Sequence, residues 1–230
     1  MKAFTFFILL SLNAVAWSAP SIGPAPVSHL YVPVGFDNND SVEVVVTGEF
    51  PNPCYRRNTV KVSVRQERIS ILVTAIQPTE KRFCPDMVVP FKEVISLGNL
   101  QGGEYLVTVN QELKEKLLVE TSESGAVDDH LYAAIDEVEQ KNETEFILHG
   151  WRYSPCIELE RIEVLSNKKD TLSILPIMKQ VSDFCPMKLT PVAYPIKLSM
   201  QGLKTKQPLI HVRTMDGKSF NTILNMGGRR

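Results

Sequence analysis

The chain has 230 residues, a formal net charge of −1, 43% hydrophobic residues and only four histidines and four cysteines. No basic excess speaks for nucleic acid and no basic amphipathic helix for a membrane surface. The interspersed charges describe an ordinary solvated exterior.

Residues 1–19 read as a secretory signal peptide. Lys2 precedes a nearly continuous apolar run from Ala3 to Ala16, and Ala14, Ala16 and Ser18 offer small residues for cleavage. The run falls short of the about 20 residues a membrane span needs, so no membrane insertion is expected. Secretion or export to a periplasm follows, in a compartment where disulfides persist.

Residues 20–40 form a Pro-rich leader, extended and mobile over 20–27, with a possible edge strand from His29 to Val34. Residues 41–122 then alternate with period two. Val42, Val44 and Val46 share one face, and further strands are predicted at Thr59–Arg65, Ile69–Gln77, Phe91–Leu97, Tyr105–Asn110 and Lys116–Thr121. Residues 123–143 have another texture. After a Ser-Gly linker, Asp128–Gln140 carries Val127, Leu131, Ala134, Ile135 and Val138 at helical spacing, with Asp128 and Asp129 at the favourable end for a dipole. One α-helix is predicted there. Residues 144–226 repeat the first pattern, ending in a hairpin around Asp216-Gly217. Residues 227–230 are a basic tail.

The cysteines carry the repeat. Gly48-Glu-Phe-Pro-Asn-Pro-Cys54 precedes Cys84-Pro85, and Gly150-Trp-Arg-Tyr-Ser-Pro-Cys156 precedes Cys185-Pro186. An offset of 102 maps Val44 onto Phe146 and Cys54 onto Cys156, and an offset of 101 maps Cys84 onto Cys185. The duplication predicts the pairs Cys54–Cys84 and Cys156–Cys185. A four-cysteine zinc site is disfavoured, because zinc ligands usually come in close C-x2-C pairs. The fold class that follows is mainly β. Two tandem antiparallel β-sandwich modules, each with one disulfide, are joined by a linker containing one α-helix.

Catalytic patterns do not emerge. The repeat places His149 at the position of Thr47 and His211 at that of Thr108, both out of phase with the apolar rows and so pointing away from the core. His130 has no facing partner on a helix. Asp37-x-Asn39-x-Ser41-x-Glu43 lacks the glycine and the final glutamate of a calcium loop. Neither cofactor nor metal is expected, and the chain does not read as an enzyme. The surface candidates are the loops before the first cysteine of each pair: Phe50, Asn52, Tyr55, Arg56 and Arg57, and Trp151, Arg152 and Tyr153. Aromatic residues and arginine dominate binding hot spots, and a proline beside a bridged cysteine stiffens the loop.

Gly48, Pro53-Cys54, Cys84 and Gly103-Glu-Tyr-Leu-Val-Thr-Val-Asn110 together resemble an immunoglobulin-like repeat of bacterial exported proteins of unassigned function. The resemblance covers residues 41–121 well and 145–225 less well, where Pro208-Leu-Ile-His-Val-Arg replaces the tyrosine-containing strand. It implies an immunoglobulin-like sandwich and nothing about activity. The expected function is an exported, non-catalytic binding or envelope-associated structural protein acting through surface loops, on an unknown protein or surface polymer. The alternative is a secreted protease inhibitor that uses the disulfide-pinned Pro-Cys loops.

Overall fold

The computed structural model describes residues 20–78, 83–122 and 131–226, and every regular element among them is a strand. In chain order these are β1 (Ser21–Pro24), β2 (Val27–Tyr31), β3 (Phe36–Asp37), β4 (Val42–Phe50), β5 (Arg56–Arg65), β6 (Arg68–Gln77), β7 (Val89–Gly98), β8 (Gly103–Val109) and β9 (Leu113–Glu120). Then follow β10 (Leu131–Tyr132), β11 (Ala134–Gln140), β12 (Glu145–Arg152), β13 (Ile157–Ser166), β14 (Thr171–Gln180), β15 (Thr190–Lys197), β16 (Leu209–Thr214) and β17 (Lys218–Ile223). The expected signal peptide (1–19), residues 123–130 of the expected linker and the expected tail (227–230) lie outside the described residues.

Four sheets result. The first runs β5–β6–β8–β9, with β1 also on β6 and β3 on β9; the second is β2–β4–β7. The third runs β13–β14–β16–β17, with β10 also on β14; the fourth is β11–β12–β15. Period-two alternation builds the cores. Val42, Val44 and Val46 of β4 meet Ile69, Ile71 and Val73 of β6, with Val107 and Val109 of β8, in one cluster. Phe146 and Leu148 of β12 meet Leu172 and Ile174 of β14 and Ile210 and Val212 of β16 in another. The protein is a mainly-β structure of paired, sandwich-like sheets.

Three sequence expectations change. The predicted helix is absent among the described residues: β10 pairs with β14 and β11 with β12 over its span. A bulge between Ile135 and Glu137 explains the misreading. Ala133 and Ile135 alternate inward, the bulge inserts one residue, and the next inward residue is Val138. The resulting spacing of three imitates a helical face. Second, the pairing is not purely antiparallel. β6 and β8 are parallel, as are β14 and β16, and β3 and β9. The chain crosses to the opposite sheet for β7 or β15 between those strands, and returns in its former direction. Third, the Pro-rich leader is laid down as a strand, Ser21–Pro24 on Thr74–Gln77.

Two glycines are required by close approach. A Cβ on Gly48 would lie 2.1 Å from the carbonyl oxygen of Pro26, and one on Gly150 1.9 Å from that of Ala134. In both places the pairing strand shifts register immediately afterwards.

The second and third sheets stack face to face. Val45, whose neighbours Val44 and Val46 point into the first core, packs with Tyr31 and Leu209. β14 is buried from Thr171 to Met178 and β16 along its whole length, so both faces of each are covered. The seam is rich in polar groups, and burial obliges them to find partners. Asp170 accepts from Asn167 and Thr171 and meets His29 Nε2 at 2.8 Å. Val34 N–H donates to Ser173 Oγ, and the Tyr31 hydroxyl to the Gln207 carbonyl. Lys92 Nζ donates to the Asn221 carbonyl, and Lys169 pairs with Glu115. Arg213 reaches Asp40 at 2.7 Å, donates to the Tyr132 hydroxyl and lies over the Phe36 ring. Glu43 accepts from Ser219 and Asn221, with His211 Nδ1 at 3.4 Å. His211 does point away from its own core, as the alternation implies, yet it is fully buried in this seam.

Burial opposes charge on Glu43 and on Asp170. Hydrogen bonding outweighs it in both: His211, Ser219 and Asn221 hold the Glu43 carboxyl below its ordinary range, and His29, Asn167 and Thr171 do so for Asp170. Asp40 behaves oppositely, since its burial outweighs Arg213 and raises it.

Two predictions follow from this architecture. A carboxyl depressed in the folded state contributes stability above its unfolded value, near pH ~4, and loses it as pH falls through the folded value. The urea midpoint should therefore fall as acidification carries the pH below about 4. Asp170→Asn should lower the midpoint at neutral pH and flatten the acid dependence; an unchanged acid slope would refute the assignment. Separately, Gly150→Ala should destabilise by about 1–3 kcal/mol through overpacking against backbone, read as a lower urea midpoint at constant slope.

Candidate functional site

The candidate surface is the set of loops held by the two disulfides. Both bridges form as the repeat requires, Cys54–Cys84 with Cα atoms 5.9 Å apart and Cys156–Cys185 with 5.5 Å. Each ties the loop after β4 or β12 to the loop that opens β7 or β15.

In the first loop, the Asn52 side chain accepts from Cys54 N–H at 3.1 Å and its carbonyl accepts from Tyr55 N–H. This Asx-type turn presents the cysteine to its partner. Phe50 is buried, stacked on Phe91 at 4.5 Å and on Tyr55 at 5.9 Å. It is a core residue, unavailable to a ligand, and Tyr55 is half-buried against it. Arg56 is exposed, and Arg57 reaches across to Glu93 at 2.5 Å.

In the second loop, Ser154 is buried and its Oγ accepts from Cys156 N–H. Val181 N–H donates to the Cys156 carbonyl, and Lys188 N–H to that of Tyr153. The backbone on both sides of the bridge is thus fixed. Trp151 and Tyr153 are exposed, with Trp151 Nε1 donating to Asp136 at 2.9 Å. Arg152 has a buried Nε without a hydrogen-bond partner. Burial, opposed by the Arg152 charge, raises the Tyr194 hydroxyl above its ordinary value. Trp151 and Tyr153 are the aromatic residues of the expected set that remain accessible.

The most accessible large side chains lie instead beside the second cysteines. Phe83 is 90% exposed, Phe184 82% and Met187 81%, and Met87, Val88 and Leu189 are each more than half exposed. A phenylalanine in water beside a bridged cysteine occurs in both halves, within Phe83-Cys84-Pro85 and Phe184-Cys185-Pro186. Sequence reasoning centred on the first cysteines missed these residues. The signal was present in the repeated tripeptide, since a copied aromatic outside any alternating row has no core to enter. Among the described residues, no group of histidine, cysteine or acidic side chains is arranged to hold a metal ion.

A family model described as the ORF11 beta-sandwich domain matches residues 44–119, from β4 to β9. The match agrees with the sandwich-like sheets of that part of the chain. Comparison with curated proteins and with solved structures gave no match. No helix among the described residues is long and apolar enough to cross a membrane.

Removing one bridge should show how far it supports this surface. Closing a loop of 30 residues stabilises by roughly 3–4 kcal/mol in the chain-entropy model. Cys54→Ser/Cys84→Ser should lower the unfolding free energy by an amount of that order, measured by urea titration. It should also speed proteolysis within 83–88 relative to 181–189; equal cleavage of the two loops would contradict a local pinning role.

Proposed function

We propose that the chain is an exported, non-catalytic binding protein built from two copies of one β-sandwich module, acting through its disulfide-pinned loops. The observation that carries the reading is the exposure of Phe83 and Phe184 at equivalent places. Two large aromatic rings held in water by stiffened loops are costly unless a partner covers them. Stiffness lowers the ordering cost of binding, and aromatic anchors supply most of the energy in protein interfaces. With Met87, Val88, Met187 and Leu189 alongside, the favoured partner is a protein with apolar pockets over a polysaccharide.

The two-copy reading is supported by strand pairing as well as by cysteine spacing. β2, β4 and β7 pair as β11, β12 and β15 do, and β5, β6, β8 and β9 pair as β13, β14, β16 and β17 do. On this reading β11 is the counterpart of β2, and Gly150 that of Gly48. Export is supported by the two disulfides and by the apolar segment at residues 3–16. A secreted or periplasmic location in a bacterium suits the resemblance of residues 41–121 to exported immunoglobulin-like repeats.

The test is a pull-down from a secreted or periplasmic fraction, with the purified protein and its Phe83→Ser/Phe184→Ser variant as baits. The partner captured by the first should bind the second at least about 30-fold more weakly, since losing even one anchor typically costs about 2 kcal/mol or more. Equal capture by both would remove the loops from the account. Stoichiometric slowing of a protease, lost in the same variant, would assign the loops to inhibition instead.

A further inference from the structure

We propose that copies of this chain assemble edge to edge, β5 of one copy hydrogen-bonding to β13 of the next. Among the described residues both strands are edges: β5 pairs with β6 alone, and β13 with β14 alone. Each is ten residues long and contains neither proline nor glycine. The outer strands of the smaller sheets are shorter or interrupted by comparison: β2 has five residues and β11 seven. β7 carries Pro90 and Gly98, and β15 carries Pro191 and Pro195. A proline has no amide to offer a neighbour, and is a common way of protecting an edge.

β5 and β13, the longest uninterrupted edges, have opposite charge. β5 bears Arg56, Arg57, Lys61 and Arg65 and no acid. β13 bears Glu158, Glu160 and Glu163, with a single Arg161 held between Glu160 and Glu163. Charges on an edge ordinarily repel any strand. Here they repel selectively. Like charges set opposite each other are destabilising, so β5 on β5 and β13 on β13 are both disfavoured. β5 on β13 joins a basic to an acidic strand. A pattern that penalises the wrong pairings and favours one is a specification of partner.

The apolar rows agree. Val60, Val62 and Val64 lie on the core-facing side of β5, opposite Val73, Ile71 and Ile69 of β6. Ile162 and Val164 lie on the core-facing side of β13, Val164 opposite Ile174. Val62, Val64 and Val164 are all substantially exposed, because the smaller facing sheet does not reach them. Joining the edges would continue the valine row of one strand into the aliphatic row of the other. The contact is heterologous, so it propagates instead of closing as a two-fold dimer. β5 belongs to the first layer of the stack and β13 to the third. Each added copy would therefore step by two sheet spacings, roughly 20 Å.

Sedimentation velocity over a concentration series tests the proposal. The purified protein should show a weight-average mass that rises with concentration and falls with added salt, as screening weakens charge attraction. Lys61→Glu/Arg65→Glu and Glu160→Lys/Glu163→Lys should each be monomeric alone, and an equimolar mixture should associate again, since each restores a basic-to-acidic contact. Phe83→Ser/Phe184→Ser should associate like the parent, which separates this contact from the loop-mediated one. A parent protein that stays monomeric up to millimolar concentration would overturn the proposal, whatever the variants do. So would association unchanged in both charge variants, or no recovery on mixing.

Discussion

The stacking of the second sheet on the third is the constraint from which the rest of the architecture follows. It covers the remaining faces of β4, β14 and β16, so that alternate residues on one strand enter different layers. Val44 enters a sandwich core and Val45 the seam; Ile210 and Val212 enter a core and His211 the seam. A covered face made only of aliphatic residues would allow many sliding arrangements. This one contains Glu43, Asp170, His211 and Arg213, and each buried polar group that loses its partner costs about 1–3 kcal/mol. The set of partners is met in one alignment. A cavity of about 20 Å³ remains beside Glu43, His211 and Arg213, room for one water molecule. His211 Nε2 is the group left without a protein partner in that seam.

On the two-copy reading, the seam also explains why the copies diverged. β8 of the first half shows Leu106 and Thr108 toward the outside, both accessible. The equivalent places in β16 are Leu209 and His211, both fully buried. The pattern Tyr-Leu-Val-Thr-Val suits a strand with one wet face, and Pro-Leu-Ile-His-Val-Arg suits one with none. The reverse holds for the smaller sheets: Val45 of β4 is buried in the seam, whereas Ile147 of β12 is only half-buried. One half contributes its small sheet to the contact and the other its large sheet. A family model built on the first pattern would then match residues 44–119 and pass over the second half.

Much of this was legible in the residues. Strand positions came from alternation because most strands have one core face, and the last hairpin came from its Asp216-Gly217 turn pair. The bridges were read from a cysteine spacing that recurs in the two halves of the sequence. What failed did so where a local rule met a tertiary one. Ile135 and Val138 looked helical because a bulge changes the period at Asp136. His211 looked like a surface residue because alternation reports which side a residue takes, and is silent on what covers that side. Phe50 looked like an anchor because it precedes a loop, while its ring completes a stack with Phe91. Phe83 and Phe184 were overlooked because they belong to no periodic row, which is also why they are exposed.

The distribution of titratable groups bears on the kind of function the fold can support. The densest cluster, Asp40, Glu43, His211 and Arg213, is spent on holding two sheets together, and a second, Asp170 with His29 and Lys169, does the same at the other end of the seam. Accessibility is concentrated elsewhere, in aromatic and thioether side chains on bridged loops and in two strand edges of opposite charge. On the proposed reading both serve recognition, and both depend on the seam for their relative position. Loosening it would leave each loop and each edge intact and alter only their spacing. A partner that touches both loops at once would register that change as lost affinity, and one that touches a single loop would not.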